Sequence, residues 1–166
     1  MPGKVIGTSL NLGYEGNVSR NSDNIITARK AAEQIEFGSP VILNSDNSYS
    51  NFGSSNTDNQ FVGVAVREVK QAINYTDSAT YYEQNERCDA LTRGTVTIKV
   101  NNGTPTAGGK VYIRTVANSS IPKGVVGKFE AVADSTNTVE ITNAKFTTGI
   151  VDANGMAEIT ILERRA

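Results

Sequence analysis

Thr95-Val96-Thr97-Ile98-Lys99-Val100 alternates polar and apolar residues without interruption. A period of two places Val96, Ile98 and Val100 on one face of an extended strand and the polar residues on the other. Leu91-Thr92-Arg93-Gly94 stands just before it, and Asn101-Asn102-Gly103 turns out of it. Lys110-Val111-Tyr112-Ile113-Arg114 repeats the alternation. Upstream, Phe61 to Val69 has the same chemistry, with Val62, Val64 and Val66 expected on one face and Gly63 and Ala65 on the other. From Phe61 to Arg114 the chain therefore reads as one strand after another, and no catalytic constellation interrupts it.

Composition narrows the function classes. A chain of 166 residues is long enough for one domain with an adequate core. Lys and Arg number 16 against 17 Asp and Glu, and no basic stripe is visible, which disfavours binding to a phosphate backbone. No apolar run approaches the roughly 20 residues of a membrane-spanning helix. Met1-Pro2-Gly3-Lys4-Val5 lacks an apolar signal core, so synthesis and folding are expected in a cytoplasm. One cysteine, Cys88, leaves no internal disulfide and no cysteine-based zinc site, and with no histidine to activate it, it reads as a small buried hydrophobe.

The chain divides into an extended N-terminal arm, residues 1–24, and a single β-rich body, residues 25–166. In the arm, Leu10, Leu12 and Tyr14 recur at every second position, a pattern that can line one face of an added strand. The competing reading is a disordered terminus. Ile25 to Arg29 reads as a strand followed by a turn, against a short helix to Ile35 capped by Asp23. Pro40 to Leu43 is a short apolar strand that Pro40 places at an edge. Asn44 to Gln60 is nearly all Ser, Asn, Asp and Gly and reads as a long polar surface loop, with Tyr49 and Phe52 as possible contact residues. Short strands follow near Gly127–Val132 and Thr138–Ile141. Phe146–Val151 and Met156–Leu162 then form a hairpin about the turn Asp152-Ala153-Asn154-Gly155. Many short strands between turns indicate an all-β fold: a jelly roll, a sandwich or a small barrel.

Several apparent motifs fail on their own mechanics. Gly103 to Lys110 resembles a phosphate loop, but Gly109 stands where the lysine belongs, Val111 where the magnesium-binding hydroxyl belongs, and a strand follows instead of a helix N-terminus. Asp46, Asp58 and Asp152 sit in oxygen-rich loops without the spacing of a calcium loop. Glu83, Glu86 and Asp89 are neighbours in sequence only, which does not make an acid–base pair. No catalytic, cofactor or metal residue is assigned.

Phe61-Val62-Gly63-Val64-Ala65-Val66, Tyr82, Cys88-Asp89-Ala90-Leu91-Thr92-Arg93-Gly94-Thr95-Val96 and Gly108-Gly109-Lys110-Val111-Tyr112-Ile113-Arg114 follow a familiar order. Ala144 to Gly149 and Ala157 to Leu162 continue it. Taken together they resemble the structural cement, or capsid decoration, proteins of tailed bacteriophages. The resemblance covers most of the chain from about Phe37 onwards, and Asn17-Val18-Ser19-Arg20 fits the arm that opens such proteins. Glu83-Gln84-Asn85-Glu86 departs from the Pro-Gly turn expected there. The resemblance implies a non-enzymatic, cofactor-free β body on the outer surface of the expanded head. Its partners would be the major capsid protein and its own copies, as a dimer or trimer, with no direct contact to nucleic acid or membrane. The capsid-binding residues expected on the arm are Leu10, Leu12, Tyr14, Val18 and Arg20. Two other classes compete: a carbohydrate- or receptor-binding β module of a tail or baseplate, weakened by the absence of tryptophan, and a carboxylate hydrolase.

Overall fold

The computed structural model describes residues 12–19, 22–68, 80–149 and 151–165. Among them the strands are β1 (Ile25–Ala31), β2 (Ile35–Glu36), β3 (Pro40–Leu43), β4 (Ser48–Asn51), β5 (Phe61–Ala65), β6 (Tyr81–Tyr82), β7 (Arg87–Asn102), β8 (Lys110–Arg114), β9 (Phe129–Glu130), β10 (Thr138–Phe146) and β11 (Met156–Ile161), with one 3-10 turn at Asp58–Gln60.

Nine strands form one sheet, ordered β1-β4-β3-β5-β7-β11-β10-β8-β9, which closes on itself through β1–β7 and β7–β9. The result is two five-stranded rings that share β7. A ring with an odd number of strands cannot alternate direction all the way round, so each must contain one parallel contact. In the first ring that contact is β1–β4, and in the second it is β7–β9. Every other pairing in the rings is antiparallel. The all-β body expected as a jelly roll, sandwich or barrel thus takes a doubly closed form, and closure removes most of the open edges that invite aggregation. β2 and β6 form a separate two-stranded ribbon.

Each ring encloses a core. Ala31, Val41, Tyr49, Ala65, Cys88 and Ala90 fill the first, together with Ile35, Phe37 and Tyr82. Phe37 and Tyr82 meet edge to face, with centroids 5.1 Å apart. Val96, Ile98, Val111, Ile113, Ile141 and Ile159 fill the second. Phe52, Phe61, Val64 and Leu91 belong to this second core although they lie on first-ring strands or beside them. Phe61 packs edge to face on Phe129 at 6.4 Å, which joins the two rings.

β7 makes the double ring possible. Its first half pairs with β1 and β5, its second half with β11 and β9. Between Leu91 and Arg93 it carries one extra residue, Thr92, against β1. That residue is fully buried, and its hydroxyl donates to the Ile25 carbonyl at 3.1 Å. A bulge bends a strand and raises its twist, so one 16-residue strand can leave one ring and enter the next.

Several sequence expectations change here. Leu91–Gly94 is the middle of β7, not a lead-in to a strand. Val62 and Val64 do not share a face: Val62 is an extra residue in β5 against β3, so it joins the first core while Val64 joins the second. β3 lies between β4 and β5 instead of at an edge. Pro40 is tolerated there because it is the first residue of the strand. Thr138 to Phe146 is one strand with three extra residues, Thr142 to Ala144, opposite β8. β1 is a strand, as read.

The polar stretch Asn44 to Gln60 is not one continuous loop: Ser48–Asn51 forms β4, and the residues on either side of it are turns and irregular backbone. Asp46 accepts the Ser48 amide at 3.1 Å and the Ser48 hydroxyl at 2.5 Å, and Asn44 donates to Ser48 and Ser50. These bonds let a polar sequence build the β3–β4 hairpin. Tyr49 and Phe52 point inward at 0% and 1% exposure. Burying a side chain such as Phe52 is worth roughly 1.5–3 kcal/mol, which holds both aromatics in the core and away from any partner. The Glu83–Glu86 turn is also well made: Asn85 takes the left-handed conformation (φ 69°), and its amide donates to the Ala31 carbonyl at 2.8 Å. Asn tolerates this region better than most residues, so it does the work of the expected glycine.

Candidate functional site

Residues 12–19 lie along β7 in the antiparallel sense and hand over to β1 at the bulge. The Gly16 amide donates to the Thr97 carbonyl at 2.9 Å, the Thr97 amide to Asn17 at 2.8 Å, and the Ser19 amide to Thr95 at 2.9 Å. Val18 bridges to Val96 and packs against the second core. Gly16 sits at φ +80°, and a side chain there would stand 2.7 Å from the Arg67 amide nitrogen. The close approach lets Arg67 donate its amide to the Gly16 carbonyl at 2.9 Å. This part of the arm is therefore hydrogen-bonded along β7, with one bridge at Val18, as part of the body's own wall.

Of the five arm residues singled out, Leu10 and Arg20 fall outside the described residues. Leu12 is half-buried; its amide donates to the Asp152 carboxylate at 3.1 Å and its carbonyl accepts the Thr97 hydroxyl at 3.1 Å. Val18 is partly buried and packs against the second core. Tyr14 is 66% exposed.

Beside Tyr14, the Arg67 guanidinium lies 4.8 Å from the Tyr14 ring centroid and 5.6 Å from that of Phe37. A cation held between two rings is attracted to both faces. Here Tyr14, Arg67, Phe37, Lys99 and Met156 line a furrow of about 520 Å3, with Glu15, Glu36 and Thr80. Lys99 pairs with Glu15 at 3.7 Å, and Lys128 pairs with Glu36.

Asp152 ties the arm to the β10–β11 turn. Burial pushes its carboxyl up, but the Met156, Asn154 and Leu12 amides outweigh this and hold it below the usual carboxylate range. Asp58 behaves likewise: burial raises it, while Arg165 and Thr142 lower it further. Asp46 is lowered by the Ser48 hydroxyl, and Asp134 by the Asn118 amide and then Arg114. A depressed folded-state pKa contributes stability above the unfolded value and loses it as pH falls through the folded one. With no histidine in the chain, the melting temperature is expected to stay flat from about pH 5 to 8 and to fall below about pH 4. A pH series of thermal melts checks this, and a step near pH 6.5 would contradict it.

One buried cluster had no signal in the sequence reading. Arg114 is fully buried, its Nε and Nη2 grip the fully buried Glu130 carboxylate, and its Nη1 donates to Asp134 at 2.7 Å. Asp134 also accepts Asn118 at 2.9 Å, and Glu130 accepts Asn102 at 3.2 Å. The cluster fastens the loops on either side of β9. It is a structural knot: every charge in it already faces an opposite charge.

Among the described residues no other arrangement converges on chemistry. Glu83 and Glu86 close their own turn, and Asp89 pairs with Arg87. The Asp58 carboxylate is held by Arg165 and Thr142. Gly103–Gly109 is a loop leading into β8, and Lys110 pairs with Glu140 at 2.9 Å. Among the described residues no group of three His, Cys, Asp or Glu could hold a metal ion.

The body is doubly closed, and its fully buried ion pair, Arg114 with Glu130, ties loops together and faces no cleft. The model of the family "Structural cement protein (E217 gp24/Pam3 gp6)" matches residues 2–162. The chain belongs to that family, and its role is that of a capsid-associated structural protein of a phage virion. No curated protein sequence matches it. A chain from a structure described as the capsid of Myoviridae phage XM1 shares the fold, with a TM-score of 0.68 over 96% of both chains at 16% identity.

Proposed function

We propose that this protein binds the outer surface of the expanded phage head and bridges neighbouring major capsid subunits, stabilising the shell. The observation that carries the reading is the family match across nearly the whole chain. The physical logic supports it. A packaged head is a thin shell under outward strain, and its weak points are the seams between capsomers. A rigid closed body can span a seam without deforming. Individual contacts can be modest, because linked contacts raise the effective concentration of each other. Association with its own copies, as a dimer or trimer, multiplies that effect.

The proposed capsid contact is the arm from Gly7 to Arg20, in which Val18 packs partly against the second core. Leu10, Leu12 and Tyr14 supply side chains to the partner, and strand addition falls to the backbone ahead of Leu12, because residues 12–19 already bond to the body. The protein is made in the host cytoplasm and needs neither nucleic acid nor membrane for this role.

The test is co-sedimentation of purified protein with expanded heads that lack it, beside unexpanded precursors. Saturable binding to expanded heads alone is the expected result. Binding to neither would move the reading to a tail or baseplate module.

A further inference from the structure

Among the described residues that line the furrow, Arg67 is the one charge without a counter-charge. The two carboxylates there, Glu15 and Glu36, are each paired with a lysine. Arg67 makes no ion pair among the described residues. Its guanidinium lies instead over the rings of Tyr14 and Phe37, and an aromatic ring gives its N–H donors no conventional hydrogen-bond acceptor. A guanidinium fork fixed in orientation, with donors available, matches a carboxylate in two-point geometry. Fixing it beforehand lowers the ordering cost of binding.

Two further hollows adjoin the furrow: one of about 110 Å3 shares Glu15, Glu36 and Lys99 with it, and one of about 300 Å3 shares Glu36 and reaches Asn51 and Val126. Adjoining hollows suit an extended chain better than a compact small molecule. We infer that Arg67, clamped by Tyr14 and Phe37, anchors an aspartate or glutamate side chain on an extended segment of a capsid-shell subunit lying in this furrow. The inference rests on the capsid-binding reading above and names the chemistry of the partner at that surface. Tyr14 then serves as a wall of the site, with its ring holding the guanidinium.

The test uses the full chain and its R67Q and R67K variants in co-sedimentation with expanded heads, with thermal melts alongside. R67Q is expected to weaken head binding about tenfold or more and to flatten its salt dependence, while melting within a few degrees of the parent. R67K keeps the charge but not the fork and falls between the two. If the parent itself fails to bind, the capsid reading fails. If the parent binds and R67Q saturates the same heads at the same concentration, the anchor is wrong and the capsid reading stands. If R67Q melts much lower and R67K restores both melting and binding, Arg67 only pins the arm, and the anchor is again wrong.

Discussion

Replacing Arg114 with methionine is expected to destabilise the protein by about 3–5 kcal/mol, the usual cost of removing one partner from a buried ion pair. Methionine fills much of the same volume, so the loss comes from charge and not from a cavity. It strands the Glu130 carboxylate, fully buried, with only the Asn102 amide as a side-chain donor. Asp134 keeps Asn118 and Asn137 but loses its cation. For a chain of this length the melting temperature should fall on the order of 10 °C. The double variant R114M/E130Q removes the stranded charge and is expected to recover part of the loss. A double-mutant cycle in thermal melts measures this. An R114M protein that melts with the parent would show that the knot contributes nothing to the fold.

Gly63→Ala is the second large effect. Gly63 lies on β5 against β7, and a Cβ there would stand 2.2 Å from the Leu91 carbonyl oxygen and 3.0 Å from its carbon. Both are backbone atoms of a strand held on its other side by β1. No side chain can rotate away, so β5 and β7 must separate. The expected cost is about 3 kcal/mol, the upper end of ordinary overpacking. Gly53→Ala is the control, since the nearest atom to its Cβ is 3.6 Å away and belongs to a side chain. Equal melting of the two variants would mean that the strands part easily at this point.

These two residues also show where reading the sequence reaches its limit. Val96, Ile98 and Val100 were legible because β7 keeps its alternation there and one face meets a core. Val62 and Val64 were not, because a bulge shifts the face by one residue without any mark in composition. Tyr49 and Phe52 read as contact residues of a surface loop because their neighbours are polar. Those neighbours bond to one another and to the backbone, and so form the hairpin that carries the aromatics inward. Arg114 fits the polar side of its alternating strand, and only the tertiary fold brings Glu130 and Asp134, 16 and 20 residues away, to its guanidinium. Arg67 was passed over for the same reason: its two rings come from positions 14 and 37. The family was legible earlier than the site, since it rests on the order of strand-forming segments and not on side-chain convergence.

The shared strand has a mechanical consequence. A pull applied to one ring reaches the other through the covalent backbone of β7, with no hinge or linker between them to stretch. Force directed along β7 loads its flanking hydrogen bonds in shear, many at once, whereas force across it would peel them one by one. A protein gripping two sites at opposite ends of β7 would act as a tie-rod, stiff under tension and weakest to a sideways load.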